Sequence, residues 1–351
     1  MTGTRTNDQH RTTDQHGERT MTTVDTPARD LRALPKGHLH LHMEAAVRPE
    51  SLTAMADALG IEAPTTTVFS GFSQFDTVYR TLLAVLQEPA HMERLIDEIF
   101  EDQAADGVVY LELGVDPSFY VERYGSHAAA LEVMLRHAHA ASRRHGVAFG
   151  FMVTIDRTGT VEDSLLIARA AADLAGRGVV SLGLASDERG HPGARFAEAF
   201  ALAKEAGLHS TPHAGELVGP PAIREAIDVL HADRILHGVR AIEDPALVAE
   251  LAERGIPLDV CPTSNVLLDV VDAIGDHPLP RLLAAGVRCS INADDPIIFG
   301  PEILAEYELC RTALGLTDAQ LADCAWTSIE TTAASEEVKA AARRRIDEWL
   351  S

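Results

Sequence analysis

The sequence predicts an α/β protein with the (β/α)8 TIM-barrel architecture. Three observations carry that prediction. After Pro35, short β-rich runs alternate with amphipathic helical stretches, and strands that alternate with helices build right-handed βαβ units around a parallel sheet. Eight such units in about 300 residues suit a closed barrel. No GxGxxG, GKS or GKT turn is present, as the competing open, doubly wound sheet would require after an early strand.

The elements follow in order. The first strand is Gly37–His42. The stretch from Pro49 to Asp106 then reads as three helices; an insertion of this length either covers the barrel mouth or packs on its outer wall. Strands are expected at Val108–Leu113, Ala148–Ile155, Val179–Ala185, Leu208–His213, Arg234–His237, Pro257–Cys261 and Arg288–Asn292. Helices are expected at Ala128–Arg144, Val161–Gly176, Arg195–Gly207, Pro245–Gly255 and Pro280–Gly286, and several stop at a glycine, as helices do. Pro301–Leu350 reads as extra C-terminal helix on the outside of the barrel. Residues 1–28 are rich in Thr, Asp, Arg, Gln and His and poor in large apolar side chains. They form an expected disordered arm, whose His10 and His16 read as solvated, ahead of one barrel domain at 29–351.

Composition narrows the function classes. The 351 residues are 46% hydrophobic and 24% charged, enough apolar material to bury a precise site without staples. Acidic residues outnumber basic ones, 53 to 30, for a net charge of −23. Such a surface repels phosphates, so neither nucleic acid nor an anionic membrane is an expected partner. The four cysteines show no CxxC spacing, which suits a reducing cytoplasm. No apolar run is long enough for a transmembrane helix.

Barrel enzymes place their chemistry at the C-terminal ends of the strands, and polar residues gather there. His40 and His42 close the first strand; Ser186, Asp187 and Glu188 follow the fourth. His213 ends the fifth with Glu216 three residues on, His237 ends the sixth, and Asp294 and Asp295 follow the eighth. An HxH pair on a strand turns both imidazoles to one face; with a third His and a carboxylate these suit Zn2+. The tandem aspartates could equally cap a helix before Pro296, a role compatible with ligation. Glu216 in a closed pocket would have a raised pKa and could exchange a proton near neutrality. His237 would face the attacking water.

The segments GHLHLHME (37–44), GLASDE (183–188), TPHAGE (211–216), RILHGVR (234–240), CPTSN (261–265) and INADDPIIF (291–299) resemble, in order, the successive motifs of the adenosine/adenine deaminase family of metal-dependent amidohydrolases. The resemblance runs from about Pro35 to the C-terminus. It implies a hydrolase that converts a 6-aminopurine to the 6-oxopurine and ammonia. It further implies one Zn2+ held by His40, His42, His213 and Asp294, and a small-molecule purine substrate. Glu216 would protonate ring N1. His237 would act as base and electrostatic partner of the attacking water. Asp295 would orient that water and touch N7, and the backbone N–H near Ser186 would meet N3.

The match departs from the family pattern in instructive places. Glu44 replaces the Asp that reaches the ribose in many adenosine deaminases, and adenine deaminases carry Glu there. Ser186 stands where Gly is common, and Gly114 where adenosine deaminases usually have Arg. The runs RGHP (189–192) and HPLPRLLAAGV (277–287) resemble the adenine enzymes, whereas Asp187-Glu188 and the PIIFG flank lean towards nucleosides. An adenosine-like nucleoside is the leading substrate, with adenine or 6-aminodeoxyfutalosine as alternatives. Two other classes compete: a two-metal amidohydrolase, which would need a strand-end Lys that the sequence lacks, and a catalytically silent zinc-binding barrel.

Overall fold

The computed structural model describes residues 28–63 and 72–351. Eight parallel strands run in sequence order round a barrel: β1 (Lys36–His42), β2 (Val108–Val115), β3 (Ala148–Asp156), β4 (Val179–Ala185), β5 (His209–Ala214), β6 (Ile235–His237), β7 (Leu258–Val260) and β8 (Cys289–Ile291). All eight expected strands are present, with ends moved by no more than two residues. The later strands are shorter than their β-rich sequences because the chain turns into loops and short helices as soon as the buried apolar pair is passed. Apart from Ala28, the expected N-terminal arm lies outside the described residues.

The barrel closes irregularly. Between β8 and β1 the Asn292 side chain accepts from the Leu39 N–H at 2.8 Å, and Leu41 bridges to Asp294 in parallel. Backbone bonds run from the Asp294 N–H to the His40 carbonyl (3.0 Å) and from the His42 N–H to the Asp294 carbonyl (3.1 Å). The residues that end β8 are thereby pinned beside the end of β1.

The barrel interior carries a dry ionic layer below the mouth. Arg234 donates through Nη2 to Glu112 (2.6 Å) and through Nε to Asp259 (2.9 Å), and none of the three is exposed. Ser181 donates to Glu112 and Ser290 to Asp259. Burial alone would lower the Arg234 pKa, but the two carboxylates beside it more than reverse that, so the guanidinium stays charged.

The insertion forms α1 (Pro49–Leu59), α2 (Phe72–Val85) and α3 (Pro89–Ala105). Both expected roles are realised by different parts. The buried face of α3, with Met92, Leu95, Ile96, Ile99 and Phe100, joins the main core, while Tyr79, Arg80 and Leu83 of α2 line the cavity at the mouth. The helices between strands end much as expected, and an additional one spans Pro220–Asp228. No helix among the described residues is long and apolar enough to cross a membrane. The four cysteines are free and buried.

Candidate active site

The strand ends converge on one cluster of imidazoles and carboxylates. His40 is fixed from behind: its Nδ1 lies 3.1 Å from the Asp259 carbonyl, which can only accept, so the proton sits on Nδ1 and Nε2 presents a lone pair. That Nε2 lies 3.0 Å from His213 Nε2 and 3.2 Å from Asp294 Oδ1; His42 Nε2 is 3.4 Å from the same oxygen. Ligand atoms of His40, His213, His237 and Asp294 all fall within 4.8 Å of one another, and so do those of His42, Asp294 and Asp295. A tetrahedral zinc with bonds of about 2.0–2.1 Å holds its donors roughly 3.3 Å apart. The N3O donor set of His40, His42, His213 and Asp294 suits such an ion, and the His40–His213, His40–Asp294 and His42–Asp294 spacings match it, although in the compact four-residue group His237 stands in place of His42. Asp294 is steadied further by the Ser264 hydroxyl, which donates to Oδ2 at 2.6 Å.

Backbone strain aims several of these groups. Ser186, His237 and Asp294 hold positive φ angles of 79°, 61° and 65°, a conformation that costs a non-glycine residue of order 1–3 kcal/mol. Gly238, next to His237, also has positive φ, and a Cβ there would lie 2.5 Å from Leu258 Cδ2. A side chain there would have to displace that of Leu258 and hold a left-handed φ that glycine adopts freely.

Glu216 is buried and lies 3.5 Å from His237 Nε2. Burial, with the carboxylates of Asp294 and Glu188 nearby, raises its pKa well above the usual carboxyl value. Its loop is held by Glu188, whose Oε2 accepts from the Val218 N–H at 2.6 Å. Asp295 is likewise pushed up by burial and by Asp294, and its Oδ1 is buried without a hydrogen-bond partner. A protonated carboxyl at this point can donate to a ring nitrogen.

His42, Glu44, Ser186, His213, Glu216, His237, Asp294 and Asp295 all border one cavity of about 920 Å3, counted out to its open mouth. His40 sits just behind this wall. The sequence reading thus placed every candidate residue at the same end of the barrel. Three partners escaped it. Tyr79 and Tyr120 donate to Glu44 Oε2 and Oε1, each at 2.9 Å, so both oxygens of this buried carboxylate are already engaged. Arg157 is buried, donates to the His213 carbonyl at 2.5 Å, and lies beside Glu188 and Glu216. Only its place just past β3, like the other strand-end residues, signals it in the sequence. Asp187, in contrast, turns outward to Arg189.

A parallel eight-stranded barrel with three imidazoles and a carboxylate gathered at its strand ends has the architecture of a metal-dependent amidohydrolase. Comparison with known proteins gives the family. The adenosine deaminase family model matches residues 35–349. A Streptomyces coelicolor protein named for both adenosine and adenine deamination is 41% identical over 337 residues, covering 92% of this chain and 98% of its own length. The aminodeoxyfutalosine deaminase of the same organism is 35% identical, with 93% and 88% covered. The crystal structure of adenine deaminase from Arthrobacter aurescens superposes with a TM-score of 0.83 at 32% identity, covering 90% of this chain and 99% of that one. An amidohydrolase from Burkholderia ambifaria with bound zinc superposes at 0.81 and 27% identity, covering 91% and 92%. The chain belongs to the adenosine deaminase family. It is a hydrolytic deaminase of the adenine/adenosine type.

Proposed function

We propose that this chain hydrolyses the 6-amino group of a neutral, unphosphorylated 6-aminopurine nucleoside, releasing the 6-oxopurine and ammonia. The observation that carries this reading is Glu216: a buried carboxyl with a raised pKa, 3.5 Å from His237, in the same cavity as the His/Asp cluster. His40, His42, His213 and Asp294 would hold one zinc ion. Bound there, it would supply Lewis acidity and lower the pKa of water so that it ionises near neutral pH, its proton leaving to solvent.

The chain's own residues do the rest. Glu216, whose burial favours the protonated carboxyl, donates to ring N1, which lets the ring accept charge as oxygen adds at C6. His237 faces that oxygen and stabilises the developing tetrahedral centre. Asp295 donates to N7, and the strained backbone at Ser186 presents an N–H to N3. Burial of Glu216 and Asp295 favours the neutral carboxyl in both.

The cavity offers little to a phosphate: Arg80 is the one arginine or lysine among the described lining residues, and the carboxyl groups of Glu44, Asp116 and Asp156 face the same space. Asp116, Asp156 and Thr154 offer acceptors for sugar hydroxyls beyond the ring. Four buried free thiols suit a reducing cytoplasm. A second reading, deamination of free adenine, draws on Glu44, the residue type that adenine deaminases carry at this point, here oriented by the Tyr79 and Tyr120 hydroxyls.

Loss of the adenine ultraviolet absorbance across a panel tests this reading. The panel comprises adenine, adenosine, deoxyadenosine, 5′-methylthioadenosine, aminodeoxyfutalosine and adenosine monophosphate. Highest kcat/KM on a neutral nucleoside is expected. Highest kcat/KM on adenine would favour the second reading, and preference for the monophosphate would contradict both.

A further inference from the structure

A directed chain of hydrogen bonds runs behind His237. The Leu279 N–H donates to His277 Nδ1 at 3.2 Å. His277 Nε2 lies 3.1 Å from Asn265 Oδ1, and Asn265 Nδ2 lies 3.1 Å from His237 Nδ1. A backbone amide can only donate, so His277 Nδ1 is an acceptor and its ring proton must be on Nε2. That proton obliges Asn265 to present its oxygen to His277 and its NH2 to His237. An NH2 group can only donate, so His237 Nδ1 is bare and the His237 proton is on Nε2. The whole chain is buried: Asn265 is 0%, His237 1% and His277 3% exposed. Water therefore cannot substitute for a missing partner.

We propose that Asn265 and His277 are positioning residues that fix His237 as its Nε2–H tautomer, so that His237 enters the reaction as a hydrogen-bond donor and not as a base. This rests on the deaminase reading above and deepens it. The Nε2–H points between Glu216 Oε1, at 3.5 Å, and Asp294 Oδ2, at 3.8 Å, the region where oxygen would add to the purine. A donor placed there stabilises charge on that oxygen. Burial lowers the His277 pKa to about 4, which keeps its ring neutral and its Nδ1 free to accept. Asn265 and His277 belong to the CPTSN and HPLPRLLAAGV segments, so the relay gives both a task in the site.

Two measurements on the metal-loaded chain test the assignment. Histidine-15N NMR, with His237 identified by the signals lost in His237→Gln, should find the proton on Nε2 and a bare Nδ1. An Nδ1–H tautomer, or an imidazolium at neutral pH, would overturn the proposal. Asn265→Asp replaces the NH2 by an acceptor and should drive the His237 proton to Nδ1. The expected kcat loss is on the order of 10²–10⁴-fold, with metal content and KM nearly unchanged. His277→Gln retains a donor to Asn265 and should keep most of kcat, whereas His277→Leu should not. Equal loss in those two variants, or a fully active Asn265→Asp enzyme, contradicts the relay. A wild-type chain that turns over no purine would instead refute the deaminase reading, while the tautomer could still be assigned.

Discussion

His40 and Asp294 are joined twice: the Asp294 N–H donates to the His40 carbonyl at 3.0 Å, and Asp294 Oδ1 lies 3.2 Å from His40 Nε2. One contact closes the barrel and the other builds the cluster, so the geometry of the proposed metal ligands is set by the same backbone register that joins β8 to β1. Ser264 completes the arrangement from the other side of the carboxylate. Ser264→Ala should lower metal affinity about 10–100-fold, as loss of a partner behind a ligand typically does, without unfolding the chain. Competition with a chelator measures this, and unchanged affinity would show that Asp294 needs no such support.

Glu216→Gln keeps the shape of the side chain and removes its acidic proton. Turnover should fall on the order of 10²–10⁴-fold while metal content is retained. The pH dependence has a definite sign. The pKa of Glu216 is raised in the fold, so its contribution to stability is full below its ordinary value of 4.5 and is lost as pH rises through the raised value. Gln does not titrate. The melting temperature of the metal-free Gln variant, relative to wild type, should therefore climb as pH rises above about 4.5. A difference that stays flat with pH would mean that Glu216 is not perturbed.

Arg234 neutralises two buried carboxylates in the barrel interior. Arg234→Met should cost about 3–5 kcal/mol, because Glu112 and Asp259 are left as uncompensated buried charges. Adding Glu112→Gln and Asp259→Asn should recover a large part of that loss. Denaturant midpoints of the single and triple variants decide it, and equal midpoints would show that the ionic layer is not what destabilises the single variant.

Tyr120→Phe removes the donor to Glu44 Oε1. Leaving that buried acceptor unpaired should cost about 1–3 kcal/mol, read as a lower melting temperature with metal content intact. No change would indicate that the Tyr120–Glu44 bond is not made in solution.

The barrel was legible because its signal is repeated: eight β-rich runs, each followed by a turn and a helix, leave few alternatives. The site was legible where the residue types are rare at strand ends, as with His40, His42, His213 and Asp294. Strand and helix ends moved by one to three residues because tertiary hydrogen bonds decide them, as where Asn292 replaces a ladder rung to close the barrel. Tyr79 and Tyr120 were missed because each comes from a helical excursion whose spacing says nothing of the strand it will meet. Arg157 was missed because it works through the His213 carbonyl and carries no metal-ligand chemistry. The His277 relay was hidden for a related reason: its direction follows from one backbone N–H, at Leu279, which no side-chain pattern encodes.

Elemental analysis of the purified full chain tests the central claim most directly. One equivalent of zinc per chain is expected, falling to background in His213→Ala. A wild-type chain that binds no divalent metal, even after zinc is added back, would contradict the account.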